Sequence, residues 1–586
     1  MRLAAPLLAL LVLAGCVTPA GLQSATAPGT DVAGIAARLS AKLGDLPLLH
    51  EVVDVETRHG LVNVDVYRPE VPEGTTVPVI LVASPYNNEN SPLGGGKRGP
   101  DNWVNLPLYN WLRDEMLPRG YALAQMDVLG TRNSGGCMGI MNAAERQATA
   151  DVVDWLGAQA WSNGNVGMIG KSYLGLSQLG AAVESPRHLR AIVPIAPPTH
   201  DYAYHYYNGV PYLLNHLTQA AYYGGYSLPP VDGDPATYGP RYPERLPCAP
   251  EALAASAYTL GDYSARWQER DYRPLIPQMR DDIAVYFIAG HQDWNVKPDH
   301  PLDVFNAIPG PKMGLFGQWG HDYPNVNNFD EDAFGEREDW YFTLHRWFDH
   351  WLLGIDTGLM AEAAACPVQS QDSEGAWRCL DAFPPGPARL VTLHPQADGT
   401  LGDAPGSGTV QYQDAARTGM GLATGAGVPG TQKFRLEVAE DGRIVGAPNL
   451  TMRVSTTSPV NTFLSAALGV ERDGAVEEFT WGFLSLRHRD GLERGKPVTP
   501  GTAYDVQFLL YPVDHVLRAG DVLVLTLRGD ATGARVLMTP NPTPGVQTVD
   551  LAGTALQLPL LGMDGAFAPL TEADLPAGYA RNDGGR

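Results

Sequence analysis

A serine set between glycines, followed far along the chain by an aspartate and then a histidine, is the pattern here that could do chemistry. Ser172 lies in Gly170-Lys171-Ser172-Tyr173-Leu174-Gly175, after the apolar run Val166–Ile169 and before a stretch of small residues. Such a G-x-S-x-x-G segment reads as a strained strand-to-helix turn that exposes the hydroxyl, with glycines where strand and helix must approach. A serine hydroxyl is a weak nucleophile and needs an imidazole base oriented by a carboxylate. Two later loops offer them. Gly290-His291-Gln292-Asp293 follows the run Val285–Ala289, and Gly317-Gln318-Trp319-Gly320-His321 follows Met313–Phe316. Asp293 and His321 are the candidate acid and base. His291 sits on the acid loop and would leave His321 without a role; Asp299 and Asp322 are weaker rivals. Acyl transfer also needs donors for a developing oxyanion. The Tyr173 backbone amide is one candidate, and the Tyr86 hydroxyl in Ser84-Pro85-Tyr86-Asn87-Asn88 is the other.

These residues need a frame that brings them together. Val52–Tyr67 alternates apolar and polar residues around His59-Gly60, a hairpin signal. Val77–Ala83, Tyr121–Asp127, Val166–Gly170, Ala191–Ala196, Ile283–Ala289 and Lys312–Phe316 are continuous apolar runs of the kind buried on both faces of a parallel sheet. Helical spacing falls between them, over Trp103–Leu117 and Ala144–Ala160. It returns in Asp339–Leu353, where Trp340, Leu344, Trp347, Phe348 and Trp351 share one face. Strands alternating with helices, with Ser, Asp and His in that order after successive strands, predict an α/β-hydrolase domain. Residues 199–280, rich in tyrosine, proline and glycine, read as a cap inserted between its first part (46–198) and its second (281–361). His200, His205 and tyrosines 202, 204, 206, 207, 222, 223 and 226 fall in this cap, as pocket or as core. From 362 to 586 helical spacing gives way to short alternating segments separated by turns, which predicts a β jelly-roll sandwich.

The formal charge of −23 in 586 residues argues against a nucleic-acid partner. Arg2 and the apolar run Leu3–Leu13 form a signal-peptide core too short to span a bilayer. Leu13-Ala14-Gly15-Cys16 resembles a bacterial lipoprotein box, so residues 1–15 are expected to be removed and Cys16 lipidated, with 16–45 as a tether. Membrane contact would then run only through that lipid. Four further cysteines, Cys137, Cys248, Cys366 and Cys379, allow three disulfide pairings; the short Cys366–Cys379 loop is favoured. No zinc-type ligand pattern appears, and no cofactor is expected.

Several motifs together resemble the Xaa-Pro dipeptidyl-peptidase and cocaine esterase family of serine hydrolases. Ser84-Pro85-Tyr86 looks like its oxyanion tyrosine, and Gly170–Gly175 like its G-x-S-Y-x-G elbow. Asp127-x-x-Gly130-Thr131-x-x-Ser134-Gly135-Gly136 is similar to its D-x-R-G-x-x-x-S-x-G loop, with Leu129 in place of the arginine and Arg132 nearby. Trp347–Gly354 looks like the helix after its catalytic histidine, and Leu510-Tyr511-Pro512 with His515-x-Leu517-x-Ala519-Gly520 like its sandwich signature. The resemblance implies a helical cap, a jelly-roll domain and release of an N-terminal dipeptide with proline second. The alternative substrate is a small acyl ester or amide. A homo-oligomer stays open. A peptidase of this kind must bind a free ammonium, for which Glu89 and Asp201 are the candidates.

Overall fold

In the computed structural model of the chain, residues 47–99, 102–213, 215–228, 236–256, 261–324, 337–386, 389–414, 430–529, 538–539, 541 and 543–575 are described. Cys16 and the expected signal peptide and tether lie outside them. Ten strands form most of one sheet: β1 (Leu48–Thr57), β2 (Gly60–Pro69), β3 (Val77–Ser84), β4 (Ala122–Asp127), β5 (Ser162–Lys171), β6 (Leu189–Ile195), β7 (Ala284–Gly290), β8 (Lys312–Gly317), β9 (Val368–Gln371) and β10 (Trp377–Leu380). Their spatial order is β1-β2-β4-β3-β5-β6-β7-β8-β9-β10. The β1–β2 hairpin turns at Arg58-His59 with Thr57 opposite Gly60, and β2 joins β4 antiparallel. From β4 through β9 every pairing is parallel. Residues in β3, β4 and β7 are buried throughout, which is why those runs carry no alternation.

Helices α1 (Ala143–Gly157) and α2 (Tyr173–Val183) pack on each other and on this sheet, while α3 (Thr218–Tyr226) belongs to the cap. In α4 (Trp340–Leu353), Trp340, Leu344, Trp347 and Phe348 are buried, and Trp351 is half-buried. Phe348 and Leu352 press on β5, where a Cβ at Gly167 would come within 2.9 Å of both side chains. The segment expected to be helical over Trp103–Leu117 is helical from Pro107 to Arg119, though its hydrogen bonding changes along the way, from α over Pro107–Trp111 to π over Leu112–Met116 and 3-10 over Leu117–Arg119. Pro118 cannot donate to a helical ladder, and Gly120 ends the segment at φ 91°.

The strands that open the region after residue 362 do not join the sandwich. β9 and β10 extend the catalytic sheet, and Ala566–Phe567 returns from the far end of the chain to pair with β10. The sandwich itself runs between them. One sheet gathers around the long strand Val546–Leu561; the other orders Gln432–Glu437, Val522–Arg528, Phe463–Arg472 and Ala475–Ser485. Its core is separate from that of the catalytic domain. A third apolar cluster joins them: Tyr207, Val210 and Tyr212 of the cap pack with Trp481, Phe483 and Tyr511 of the sandwich, and Trp294 leans on it. Disulfides connect Cys137 with Cys248 and Cys366 with Cys379. The first ties the cap to the loop after β4, and the second closes the β9–β10 hairpin.

Trp347 has no exposed surface, and its indole N–H has no hydrogen-bond partner among the described residues. Trp347→Ala should therefore cost about 3–5 kcal/mol of catalytic-domain stability through lost packing, and Trp347→Phe markedly less. Urea unfolding followed by near-ultraviolet circular dichroism reads the difference; equal losses would locate the cost elsewhere.

Candidate active site

Ser172 stands where β5 ends and α2 begins. Its backbone takes φ 63° and ψ −121°, a conformation costing about 1–3 kcal/mol for a residue with a side chain. Hydrogen bonds hold it there. Ser172 N–H donates to the Ile195 carbonyl at 2.8 Å, and the Ser172 carbonyl accepts from the amides of Gly175 and Leu176 at 2.8 and 3.0 Å. The glycines permit the turn: a Cβ at 170 would fall 2.3 Å from Leu174 Cβ, and one at 175 would fall 2.9 Å from the Ile195 carbonyl.

Gly290 and Gly317 sit opposite each other at the carboxyl ends of β7 and β8, so the two following loops leave the sheet side by side. His321 Nδ1 lies 2.8 Å from Asp293 Oδ2, while Asp293 Oδ1 accepts the amides of Asn295 and Val296 at 2.9 Å each. Burial opposes ionisation of Asp293, yet the imidazole and the two amides outweigh it and hold the carboxyl below its ordinary range. A carboxylate only accepts, so Nδ1 carries the proton and Nε2 keeps its lone pair. Lys171 ties this loop to the serine turn, its Nζ donating to the His321 carbonyl at 2.9 Å and to Asp322 at 3.2 Å. That link was not anticipated from sequence, where Lys171 reads only as a variable position within the elbow.

The other candidates have different partners. His291 is buried against Ser370, and Asp299 opens a short helix, Asp299–Val304. His200 Nδ1 accepts the Ala203 amide, and His205 stands 3.3 Å from Asp201. Glu89 faces Arg98 and Arg132 at 3.8 and 3.5 Å, and Arg132 also meets Asp127 at 3.3 Å. Leu129 is buried in the core.

Ser172 opens into a small cavity walled by Met141, Leu176, Pro198, Tyr204 and Tyr222, and Asp201 is the one carboxylate among its described lining residues. The cap tyrosines divide between the two roles: Tyr204 and Tyr222 line this cavity, whereas Tyr202 and Tyr206 pack with Trp267. Ile140 and Met141, both at positive φ, also reach the cavity, and nothing in their sequence announces it. Asp201 is buried, accepts from Gln219 Nε2 at 2.9 Å, and is held ionised below its ordinary range, burial being outweighed by His205 and Arg270. Tyr86 shares a 2.9 Å hydrogen bond with the Tyr222 hydroxyl. Burial, with Tyr222 and Tyr226 beside it, pushes the Tyr86 phenol well above its usual range, so it stays protonated and able to donate. The Tyr173 amide belongs to the first turn of α2, where amides lack partners within the helix.

Residues 60–323 match the family model described as X-Pro dipeptidyl-peptidase (S15 family), and residues 362–564 match the X-Pro dipeptidyl-peptidase C-terminal non-catalytic domain. A Streptomyces avermitilis protein with a provisional Xaa-Pro dipeptidyl-peptidase name is 30% identical over 87% of this chain and 82% of its own. The chain belongs to the S15 family of X-Pro dipeptidyl-peptidases. As a member it is a hydrolase of a serine-peptidase family. The Xaa-Pro dipeptidyl-peptidase of Lactobacillus helveticus is 24% identical over 87% of this chain and 77% of that protein. Two solved structures share the fold. A CocE/NonD family hydrolase from Staphylococcus aureus superposes with a TM-score of 0.68 at 17% identity, covering 89% of this chain and 98% of that one. An α-amino acid ester hydrolase does so with a TM-score of 0.68 at 18% identity, covering 92% and 100%. Their architecture agrees with the α/β-hydrolase domain and C-terminal β-rich domain seen here.

Beneath the elbow, Glu145 is buried with neither carboxyl oxygen in a close hydrogen bond among the described residues. Burial pushes its pKa up to about 7 against the pull of the nearby Tyr173 hydroxyl and Arg270. The unfolded chain therefore releases this proton first, and the folded state loses stability as pH rises from about 4 through about 7. Glu145→Gln should remove that loss, leaving the variant more stable than the parent by about 3 kcal/mol near pH 8 and little changed near pH 4. Urea melts at the two pH values measure it; a constant difference would mean that Glu145 is ionised in the fold.

Proposed function

We propose that the chain releases Xaa-Pro dipeptides from peptide N-termini through an acyl-enzyme on Ser172, with His321 as base and Asp293 as its orienting acid. The observation that carries this reading is the 2.8 Å Asp293–His321 hydrogen bond beside the strained Ser172 turn, joined to it by Lys171. His321 Nε2 takes the hydroxyl proton as Ser172 Oγ attacks the carbonyl of the proline residue. The oxyanion is held by the Tyr86 hydroxyl and the Tyr173 amide. The imidazolium then protonates the departing amine, and water, activated by the same imidazole, cleaves the ester.

What favours a peptide over a simple ester is the cavity. Leu176, Met141 and Pro198 offer an apolar seat for a proline ring, and Asp201 offers an ionised carboxylate for the substrate's ammonium. Glu89, which faces two arginines and is not among the described residues lining this cavity, is the weaker partner for that charge. Ala-Pro p-nitroanilide should be cleaved and its N-acetylated form should not. Ser172→Ala should lower kcat by about 10⁴-fold or more. Asp201→Asn should raise KM for the free-amine substrate by about tenfold with less effect on kcat. Rapid hydrolysis of aryl esters with the anilide untouched would favour an esterase, and equal rates on free and acetylated anilides would remove the ammonium site.

Export with a lipid on Cys16 is part of the same reading. The two disulfides suit an oxidising compartment, and no helix among the described residues is long and apolar enough to cross a membrane. In a bacterial host, radiolabelled palmitate should mark the full chain and leave Cys16→Ser unlabelled. Label on both would move the acylation elsewhere.

A further inference from the structure

We propose that Asp514, a residue of the sandwich, is a positioning residue for the Asp293–His321 pair, acting through Ser370 and His291. The proposal rests on the catalytic assignment above and goes beyond it, because it gives the C-terminal domain a part in setting the geometry of that pair.

The connection runs without a gap through contacts of ordinary hydrogen-bond length. Arg443 Nη1 donates to both oxygens of Asp514, at 2.8 and 2.9 Å. Ser370, on β9 between β8 and β10, donates its hydroxyl to Asp514 Oδ2 at 2.7 Å. Its Oγ lies 3.1 Å from His291 Nε2. A serine has one proton to give, and the carboxylate, which can only accept, takes it. Ser370 Oγ must then accept from His291, so the Nε2 of that ring carries its proton. His291 is kept neutral: burial, with Arg443 adding to it, pushes its pKa down to about 3. Asp514 thus fixes both the tautomer and the orientation of a ring two residues before Asp293. His291 N–H also donates to the Gly317 carbonyl at 2.7 Å, tying that same residue to the end of β8.

Asp514 reaches the histidine loop as well. Its backbone carbonyl accepts from Gln318 Nε2 at 3.2 Å, and the same amide group donates to the Gln371 carbonyl at 2.9 Å. Gln318 Oε1 accepts from Gln292 Nε2 at 3.0 Å, which laces the acid loop to the histidine loop. One sandwich residue is therefore bonded, through one intermediary or none, to His291 on the first loop and Gln318 on the second. The sandwich also grips the acid loop beyond Asp293, where Trp294 meets Trp481 at 5.1 Å and Tyr511 at 5.8 Å between ring centroids. The Arg443–Asp514 pair is almost wholly removed from solvent. Such a pair is weak evidence of stabilisation, because desolvating both ions offsets much of their attraction. Its bonding pattern supplies a reason for it: a fixed carboxylate that two loops can be registered against.

Asp514→Asn keeps the size of the side chain and removes the charge, and Ser370→Ala cuts the connection while leaving the Arg443–Asp514 pair intact. Both are measured in the full-length chain beside the parent, with a fluorophosphonate as the probe of Ser172 reactivity and Ala-Pro p-nitroanilide as substrate. The expected result for each is kcat and the labelling rate lowered together by about tenfold, KM within about twofold, and a displaced acidic limb of the kcat/KM against pH profile. Ser370→Thr, which retains the hydroxyl, should restore most of the rate. A domain that merely braced the fold would lower the melting temperature without moving the pH limb or splitting kcat from KM. Parental labelling rate and pH profile in folded Ser370→Ala would overturn the proposal, even if Asp514→Asn fails to fold. Failure of the parent itself to react at Ser172 would strike the catalytic assignment instead, so the two failures are distinguishable.

Discussion

The pairing of β7 with β8 is the constraint on which the site rests. Parallel strands with Gly290 opposite Gly317 release two loops at the same height and a strand's spacing apart. The Asp293 carboxylate and the His321 ring can then meet at 2.8 Å. The glycines are needed for this. A Cβ on Gly290 would come 2.1 Å from the Trp319 carbonyl, and one on Gly317 would fall inside the Trp319 ring. Neither strand could move by one residue without separating the pair, because a register shift of one turns every side chain to the other face.

Much of this was legible in the linear chain, for physical reasons that differ from element to element. The parallel strands stood out because burial on both faces leaves an uninterrupted apolar run, and α4 because one face of tryptophan, leucine and phenylalanine recurs at helical spacing. The elbow and the loops that follow β7 and β8 could be read because each begins with a glycine at a strand end. Less was legible where several weak preferences compete. The stretch over Trp103–Leu117 has helical spacing throughout, yet its first four residues are not helical and the rest shifts from α to π to 3-10 hydrogen bonding before Gly120 closes it. The strands after residue 362 look like the sandwich strands they precede. Short alternating segments do not declare which sheet they will join, and β9 and β10 go to the catalytic one.

The cap shows the same limit more sharply. Its tyrosines are alike in sequence, yet Tyr204 and Tyr222 face Ser172 while Tyr202 and Tyr206 stack on each other at 5.1 Å between centroids. Tyr222 comes from α3, but for Tyr202 and Tyr204 the division follows from a helix of five residues, Asp201–His205, in which positions two apart point to opposite sides. Asp201 begins that helix and so faces the cavity with Tyr204. Its role as the proposed ammonium partner is thus a consequence of local geometry that composition does not encode. Lys171 is similar: only the folded chain brings its ammonium to the carbonyl of residue 321, 150 positions away.

A sheet that runs past the catalytic strands into β9, β10 and finally Ala566–Phe567 makes the sandwich difficult to regard as an appendage. The first strand of this extension, β9, carries Ser370, whose neighbours in the sheet and in the sandwich determine where its one proton can go. Three kinds of contact cross this boundary: strand pairing, aromatic packing at Trp294, and the polar connection from Arg443 to His291. Aromatic packing tolerates small displacements, since dispersion falls off gradually and has little direction. Hydrogen bonds to an ion do not, because they weaken steeply with angle and leave a buried charge exposed to its full desolvation cost. Of the three, the polar connection is therefore the one able to hold an imidazole–carboxylate pair to the tolerance that proton transfer demands.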